Sequence, residues 1–261
     1  MMQALWVSKT GLSAQNTRLS TIANNLANAA TVGFKRDDAQ FEDLLYQIRA
    51  QPGASSSQNT QLPSGMQIGT GVRVVGTSKQ FTEGSLQVTQ KSLDMAINGR
   101  GFFQILMPDG STSYTRNGEF QLNSNGEIVT PSGMQLQPTI SIPQGAQSIT
   151  ISRDGIIEAQ IPGQAAPQQI GQLQLSDFIN PSGLQAIGNN MFLETAASGS
   201  PQQGNPGATG FGTVEQGTLE ASNVDVVEEM VNMIATQRTY EMNSKVISTS
   251  DQMLQFITQS L

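Results

Sequence analysis

The stretch SNVDVVEEMVNMIATQRTYEMNSKVISTSDQMLQFITQSL, residues 222–261, decides the fold. Neither Gly nor Pro interrupts it, and the cap-forming residues Ser222, Asn223 and Asp225 precede an apolar-periodic run, which predicts a helix N-terminus. A helix from Asn223 to Ser260 would be roughly 55 Å long at about 1.5 Å per residue. That length exceeds what an ordinary globular helix needs, so it favours a helix that packs along another elongated element.

The apolar residues of both chain ends fall on narrow stripes. In the C-terminal helix they are Val227, Val231, Ile234, Met242, Val246 and Met253. Near the N-terminus Leu5, Leu12, Leu19 and Leu26 recur every seventh residue, with Ile22 between them. Such stripes are typical of coiled coils. They predict two stem helices, the first ending near Ala29 or Ala30, whose apolar residues contact other subunits. Packing of the leucines on the chain's own core is the alternative.

Between the helices the signals change to those of short strands. Five hairpin-type dipeptides occur there: Asn98-Gly99, Asp109-Gly110, Asn117-Gly118, Asn125-Gly126 and Asp154-Gly155. Short apolar runs flank them, which predicts a compact, mostly antiparallel β domain. The fold class is therefore predicted to be α+β, with coiled-coil-like helices at both ends.

The chain divides into four predicted segments. They are an N-terminal stem helix (1–34), a connecting region (35–84), a β-rich central domain (85–215) and a C-terminal stem helix (216–261). Within the connecting region, residues 51–71 are small and polar, so alone they would form a flexible loop. Gly199 to Gly212 is expected to be an irregular connection.

Composition excludes several function classes. Of the 261 residues 13% are charged, the net charge is −7, and the Lys and Arg residues form no run that could neutralise a row of phosphates, so nucleic acid is not an expected partner. The absence of Cys and His removes the usual metal ligands and nucleophilic pairs. Neither a cleavable signal peptide nor a membrane span is apparent, and membrane insertion is not expected.

No motif predicts catalysis or a cofactor. The adjacent carboxylates Asp37-Asp38 and Glu42-Asp43 would not face a common cleft, so a solvated acidic surface is the better interpretation. We therefore predict a protein that is not an enzyme and that holds neither metal nor cofactor.

Three stretches together resemble the bacterial flagellar rod and hook family. They are Asn24-Asn25-Leu26-Ala27-Asn28 with Gly33-Phe34-Lys35, then Leu93 to Gly99 with Gly101-Phe102-Phe103 and Tyr114 to Gly118, and finally Ser222 to Glu229 with Met233-Ile234, Gln237-Arg238, Tyr240-Glu241, Asn243 and Asp251 to Leu254. The resemblance covers essentially the whole chain in the family's order. Within the family, the length and the pattern of Tyr46, Pro52-Gly53 and Leu62-Pro63-Ser64-Gly65 favour the distal rod over a proximal-rod or hook paralogue.

The resemblance implies a structural role. Family members are exported unfolded through the flagellar type III apparatus, which would explain a missing signal peptide. They stack into an open helical homopolymer, here a periplasm-spanning driveshaft that passes torque to the hook. The implied partners are other rod proteins, the hook protein and the surrounding ring proteins.

The resemblance also marks positions outside the apolar stripes as candidate subunit contacts: Asn24, Asn25, Asn28, Gly33, Phe34, Pro52, Gly53 and Gly65. Asn24 and Asn28 could fix the register between packed helices, as a buried Asn does in coiled coils, although all three asparagines could simply end a helix. Two other function classes stay open: a secreted β-rich adhesin, and a carboxylate-based hydrolase acting on peptidoglycan.

Overall fold

A computed structural model describes residues 2–52, 55–57, 60–61, 64–163 and 166–259. A long helix stands at each end, α1 (Met2–Ala27) and α2 (Val226–Gln259), with short strands between them. The predicted α+β class with a mostly antiparallel centre is confirmed. Neither helix, over the residues described, is long and apolar enough to cross a membrane.

Two compact units divide the chain. The helical unit comprises Met1–Leu26, Asp37–Ser78 and Asp225–Leu261, and the sheet unit comprises Ala27–Arg36 and Lys79–Val224. The helical unit holds the first six strands, which are β1 (Asp37–Asp43), β2 (Gln47–Ala50), β3 (Ser55–Ser57), β4 (Thr60–Gln61), β5 (Met66–Ile68) and β6 (Val72–Lys79). They form three two-stranded pairs, β1 with β6, β2 with β5 and β3 with β4.

The remaining strands belong to the sheet unit. They are β7 (Leu86–Val88), β8 (Met95–Asn98), β9 (Phe102–Leu106), β10 (Thr112–Thr115), β11 (Gln121–Leu122), β12 (Ile128–Val129), β13 (Gln135–Gln137), β14 (Ser148–Ile151), β15 (Ile156–Gln160), β16 (Gln168–Gln172), β17 (Leu175–Asp177), β18 (Gln185–Gly188), β19 (Met191–Leu193), β20 (Gln202–Gly204), β21 (Thr213–Gln216) and β22 (Thr218–Glu220). A short 3-10 helix spans Pro181–Gly183.

The largest sheet is built around β9. Its strand order is β11-β12-β13-β9-β10-β19-β18, and β17 pairs with both β9 and β20. Strands β14, β15 and β16 form a separate three-stranded sheet, while β21 pairs with β8 and β22 with β7.

Strand β9 is buried on both faces, because successive side chains of a strand point to opposite sides. Phe103 and Ile105 enter the main apolar core, which also holds Met95, Ile157 and Leu175. Phe102 points into a second, aromatic cluster, formed by Tyr114, Phe178, Leu184 and Phe192 with Phe81 packed against it. Its rings meet edge to face, with centroids 4.8–6.2 Å apart, which is the favoured aromatic geometry.

Only some of the predicted hairpins exist. Gly110, Gly126 and Gly155 take positive φ between paired strands (β9–β10, β11–β12 and β14–β15). The hairpins predicted at Asn98-Gly99 and Asn117-Gly118 are wrong, since the strands that flank them do not pair with each other. Gly118 serves close packing instead, because its buried backbone lies directly against the carbonyl of Met95.

Several boundaries also differ from expectation. Helix α1 ends at Ala27, two residues before Ala29, because the chain turns at Asn28, whose carbonyl accepts the N–H of Thr31 at 3.1 Å. The expected irregular connection contains β20, whose Gln-Gln-Gly sequence carries no strand pattern. The connecting region holds β1 to β6, and three of these strands, β3, β4 and β5, lie within the polar residues 51–71.

Candidate assembly surface

The start of α2 is fixed by Asp225. Its Oδ1 accepts the N–H groups of Val227 at 2.8 Å and Glu228 at 3.2 Å, as an N-cap does. Asn223 was predicted to share this role, but its side chain serves the sheet unit. It accepts the N–H of Arg36 at 2.8 Å and donates to Thr82 Oγ1 at 2.8 Å. The helix therefore starts at Val226 rather than at Asn223.

The apolar side of α2 faces solvent. We define the outer stripe as Val227, Met230, Val231, Ile234, Met242, Val246, Met253 and Phe256, all of them exposed, from 44% for Val246 to 73% for Phe256. Their spacings of three, four, seven and eight residues place them along one side of the helix. Exposed apolar rows of this length mark interaction sites in soluble proteins.

The side of α2 turned away from solvent is mostly polar, and it also carries the half-buried apolar residues Met233, Ile247 and Leu254. Glu229 and Thr236 are buried, 1% and 4% exposed, while Asn232, Thr239 and Asn243 are half-buried. This face meets α1: Asn25 Nδ2 donates to Glu229 Oε1 at 3.3 Å, and a Cβ added at Gly11 would lie 3.3 Å from Asn243 Nδ2. Advancing along α1 from residue 11 to 25 corresponds to moving back along α2 from 243 to 229. The two helices therefore run antiparallel.

On α1 the predicted contact residues divide into two groups. Leu5, Leu12, Leu19 and Leu26 are half-buried, whereas Ile22 is buried within the chain. Of the three asparagines, Asn25 is 1% exposed, Asn24 is exposed and Asn28 is half-buried. The Asn28 side chain accepts the hydroxyl of Thr31 at 3.2 Å, in the turn after the helix.

Asn25 uses its whole amide group within the helical unit. Besides its bond to Glu229, its Nδ2 donates to the carbonyl of Asp37 at 2.8 Å, and its Oδ1 accepts the N–H of Asp37 at 2.9 Å. The amide thus binds the first residue of β1 as a neighbouring strand would.

Gly33 and Phe34 lie in the sheet unit. Gly33 has φ of 68°, and a Cβ there would be 2.7 Å from the backbone nitrogen of Asn117, so only glycine fits. Phe34 is 8% exposed, and Lys79 Nζ lies 5.1 Å from its ring centroid. Both residues are buried in the chain itself.

Pro52 and Gly65 are brought together in the helical unit. A Cβ at Gly65 would lie 2.6 Å from Cδ of Pro52, so this approach requires glycine. The predicted contact residue Gly53 lies outside the described residues.

A buried charge cluster was not predicted from the sequence. Lys35 pairs with Glu220, and Arg116 Nη1 lies 3.4 Å from the other oxygen of Glu220. Lys35 also donates to the carbonyl of Thr82 at 2.7 Å. Burial lowers the pKa of Lys35 and outweighs the opposing attraction of Glu220. The only sequence signal was the presence of Lys35 and Arg116 in the family-like stretches.

Among the described residues, no group of three or more His, Cys, Asp or Glu side chains is arranged to hold a metal ion. The outer stripe is a described feature suited to a macromolecular contact, and exposed apolar side chains also occur around β2 and β5, at Leu45, Tyr46, Ile48 and Met66.

Family models match three parts of the chain. They are described as "Flagella basal body rod protein" (residues 5–35), "Flagellar hook protein FlgE/F/G D1 domain" (residues 96–159) and "Flagellar basal body rod FlgEFG protein C-terminal" (residues 215–260). The first of these covers most of α1 and the last covers all of α2, the two helices that carry the antiparallel contacts and the outer stripe.

Curated relatives match over nearly their full length. The flagellar basal-body rod protein FlgG of Buchnera aphidicola is 54% identical over 99% of this chain and 100% of its own. The protein of the same name in Caulobacter vibrioides is 49% identical over 99% of both chains. That of Bacillus subtilis is 37% identical, covering 98% of this chain and 97% of its own.

Proposed function

The chain belongs to the FlgG family of flagellar basal-body rod proteins, a family of structural proteins rather than enzymes, and we propose that it polymerises helically into the distal rod through the outer stripe of α2. The proposal rests on one observation above all: a 34-residue helix exposes a row of eight large apolar residues, while the side that meets α1 is mostly polar.

The size of the stripe suits a shared contact. Complete burial of a Val, Ile, Met or Phe side chain is worth about 1.5–3 kcal/mol, so half-exposed residues can each gain on the order of 1 kcal/mol. Summed over the eight residues of the stripe, this gain is comparable to the roughly 4–15 kcal/mol that association costs. Contacts with several neighbours at once, as in a polymer, would make the free energy of association favourable.

A second copy of the chain is the occupant that the charges favour. Helix α1 carries Lys9 and Arg18 and has no acidic residue. Helix α2 carries four carboxylates against two cations. The α1 of one subunit would therefore attract the α2 of the next. Such a contact joins two different surfaces, so it repeats into an open helical polymer unless the rotation closes a ring.

Within one subunit, we propose that α1 and α2 form a coiled-coil-like stem. The Gly11–Asn243 and Asn25–Glu229 contacts are separated by fourteen residues on each helix, from 11 to 25 and from 229 to 243. Fourteen residues are two heptads, and a repeat of 3.5 residues per turn returns to the same face after that distance. Gly11 allows the two backbones to approach closely.

The place of the protein in the cell is part of the proposal. The names of the relatives support a position in the basal-body rod. Other rod proteins, the hook protein and the surrounding ring proteins would be its neighbours, and export without a cleaved signal peptide would bring it there. The distal position rests on the nearly full-length match to relatives named FlgG and on the pattern of Tyr46, Pro52-Gly53 and Leu62-Pro63-Ser64-Gly65. In this role the polymer would span the periplasm and pass torque to the hook.

Electron microscopy of the concentrated full chain tests this function. We expect helical filaments that dissolve on dilution. A chain that stays monomeric at high concentration and binds glycans, or that lyses peptidoglycan, would contradict the proposal and would support the adhesin or the hydrolase instead.

A further inference from the structure

We infer that Asn25 sets the register of α1 against α2, through its buried hydrogen bond with Glu229. This inference deepens the proposed function, because it rests on the same helix pair, but it does not depend on polymerisation. The sequence had suggested Asn24 and Asn28 for such a role, whereas in the structure Asn24 is exposed and Asn28 lies beyond the end of the helix.

The Asn25 amide has a defined partner for each of its polar atoms. The two hydrogens of Nδ2 go to the carbonyl of Asp37 and to Glu229 Oε1, while Oδ1 accepts the N–H of Asp37. Asn25 and Glu229 are each 1% exposed. Polar groups buried to this degree are costly when they lose their partners, so this geometry strongly favours one arrangement.

The rest of the contact face discriminates poorly between registers. Similar side chains recur at heptad spacing along the buried and half-buried side of α2, the polar Thr236, Asn243 and Ser250 and the apolar Met233, Ile247 and Leu254. A slip of one heptad would place Asn25 opposite Thr236 and Gly11 opposite Ser250, with similar side chains in contact. It would also separate the Asn25 amide from the buried Glu229 carboxylate. A single buried asparagine fixes the register of coiled coils for the same reason.

The hydrogen bonds between Asn25 and Asp37 fix the position of α1 relative to β1, in addition to its position relative to α2. Asp37 is the first residue of β1, and its backbone N–H and carbonyl are both held by the Asn25 side chain. Helix α1 therefore cannot slide without breaking its link to β1. Asn25 joins three elements of the helical unit, α1, β1 and α2, in one position.

Engineered cysteine pairs can measure the register, because the chain has no cysteine of its own. Gly11→Cys with Asn243→Cys reports the observed register, and Gly11→Cys with Ser250→Cys reports a slip of one heptad. That slip moves the partners by about 10 Å along the axis, beyond the roughly 7 Å Cα separation that a disulfide spans. The disulfide forms within one chain, so it is distinguished from intersubunit links by monomer mass on a denaturing gel.

The variant Asn25→Asp keeps the size of the side chain but removes both donors and adds a carboxylate beside Glu229. The matched control Asn24→Asp makes the same chemical change at an exposed neighbour. The double variant Asn25→Asp with Glu229→Gln exchanges amide and carboxylate and restores a donor between the helices.

We expect the 11–243 pair to oxidise readily in the parent and in the Asn24→Asp control. The rate should fall about tenfold or more in Asn25→Asp, the factor expected for a lost hydrogen bond to a charged group, and should recover partly in the double variant. Equal rates in Asn25→Asp and its control would overturn the inference, as would a parent in which the 11–250 pair oxidises faster.

Circular dichroism at 222 nm shows whether the helices of each variant remain, so lost helix and lost register are told apart. Loss of the 11–243 link in Asn25→Asp with helix content retained supports the inference. Equal loss of helix and link in all variants, the control included, overturns it. Parent chains that form the 11–243 link but never form filaments would refute the polymerisation proposal and leave the register inference standing.

Discussion

Lys35 and Glu220 form a buried ion pair, with side chains 0% and 1% exposed, although they stand 185 positions apart. Lys35 lies on the segment by which the chain enters the sheet unit, and Glu220 ends β22, just before the chain leaves it. The same carboxylate accepts the N–H of Gly84 at 3.0 Å and lies beside Arg116. The Glu220 side chain therefore joins the two chain segments that make up the sheet unit, residues 27–36 and 79–224.

Removing the charge of the Glu220 carboxylate should destabilise the sheet unit strongly. Glu220→Gln leaves Lys35 and Arg116 buried together without a counter-charge, and breaking a buried ion pair typically costs about 3–5 kcal/mol. We expect the free energy of unfolding to fall by that amount. Urea unfolding monitored by near-ultraviolet circular dichroism measures it. The control Glu158→Gln, at a half-buried residue of β15, should change the free energy of unfolding little. Equal effects of the two substitutions would show that the cluster contributes no special stability.

Alkaline pH should destabilise the sheet unit through Tyr114. Burial raises the pKa of Tyr114 from 10.0 to about 12, so the folded state keeps a proton that the unfolded state loses. The associated stability is fully present below pH 10 and is lost as the pH rises through 12. Between pH 10 and pH 11 this group alone should lower the unfolding free energy by about 1 kcal/mol.

Tyr114→Phe should remove that part of the pH dependence. The control Tyr240→Phe, at an exposed position on α2, should keep it. Urea unfolding at both pH values measures the difference directly. If the unfolding free energy of Tyr114→Phe still falls by the same amount between pH 10 and pH 11, another group controls the alkaline transition.

Gly33→Ala should destabilise the sheet unit more than Gly110→Ala, a substitution at another glycine with positive φ. Gly33 combines φ of 68° with backbone atoms 2.7–2.9 Å from an added Cβ, whereas Gly110 has φ of 84° and open space around it. Gly110→Ala therefore reports backbone strain alone, about 1–2 kcal/mol. We expect a clearly lower melting temperature for Gly33→Ala. Similar melting temperatures would show that the neighbouring segment of residues 116–117 moves aside at little cost.

The sequence predicted the presence of both helices and of the antiparallel centre, because periodicity and turn dipeptides are local signals. The N-cap at Asp225 was also predictable, since its partners are two and three residues away. The role of the Asn223 side chain was not predictable, because its partners Arg36 and Thr82 lie far away along the chain.

The candidate site was predictable only in part. The apolar stripe of α2 follows from spacing, but spacing does not reveal which face meets α1. That face is set by contacts such as Asn25 with Glu229, 204 positions apart. The local sequence does not distinguish Asn25 from Asn24. The two residues differ only in the tertiary structure, where Asn25 is buried and Asn24 is exposed. The assignment of the predicted residues to subunit contacts stays a prediction.

The most direct test of the account is a sedimentation measurement on the full chain carrying Ile234→Asp, with Ser244→Asp as control. Ile234 is 52% exposed in the outer stripe, and Ser244 is an exposed residue outside it. A charge buried in an apolar contact without a partner costs several kcal/mol, whereas a charge at an exposed position outside that contact costs little.

We predict that Ile234→Asp stays monomeric at concentrations where the parent and Ser244→Asp sediment as polymer, while the melting temperature of its sheet unit is unchanged. Polymer formation by Ile234→Asp equal to that of the parent would contradict the account, because the outer stripe would then not be the assembly surface.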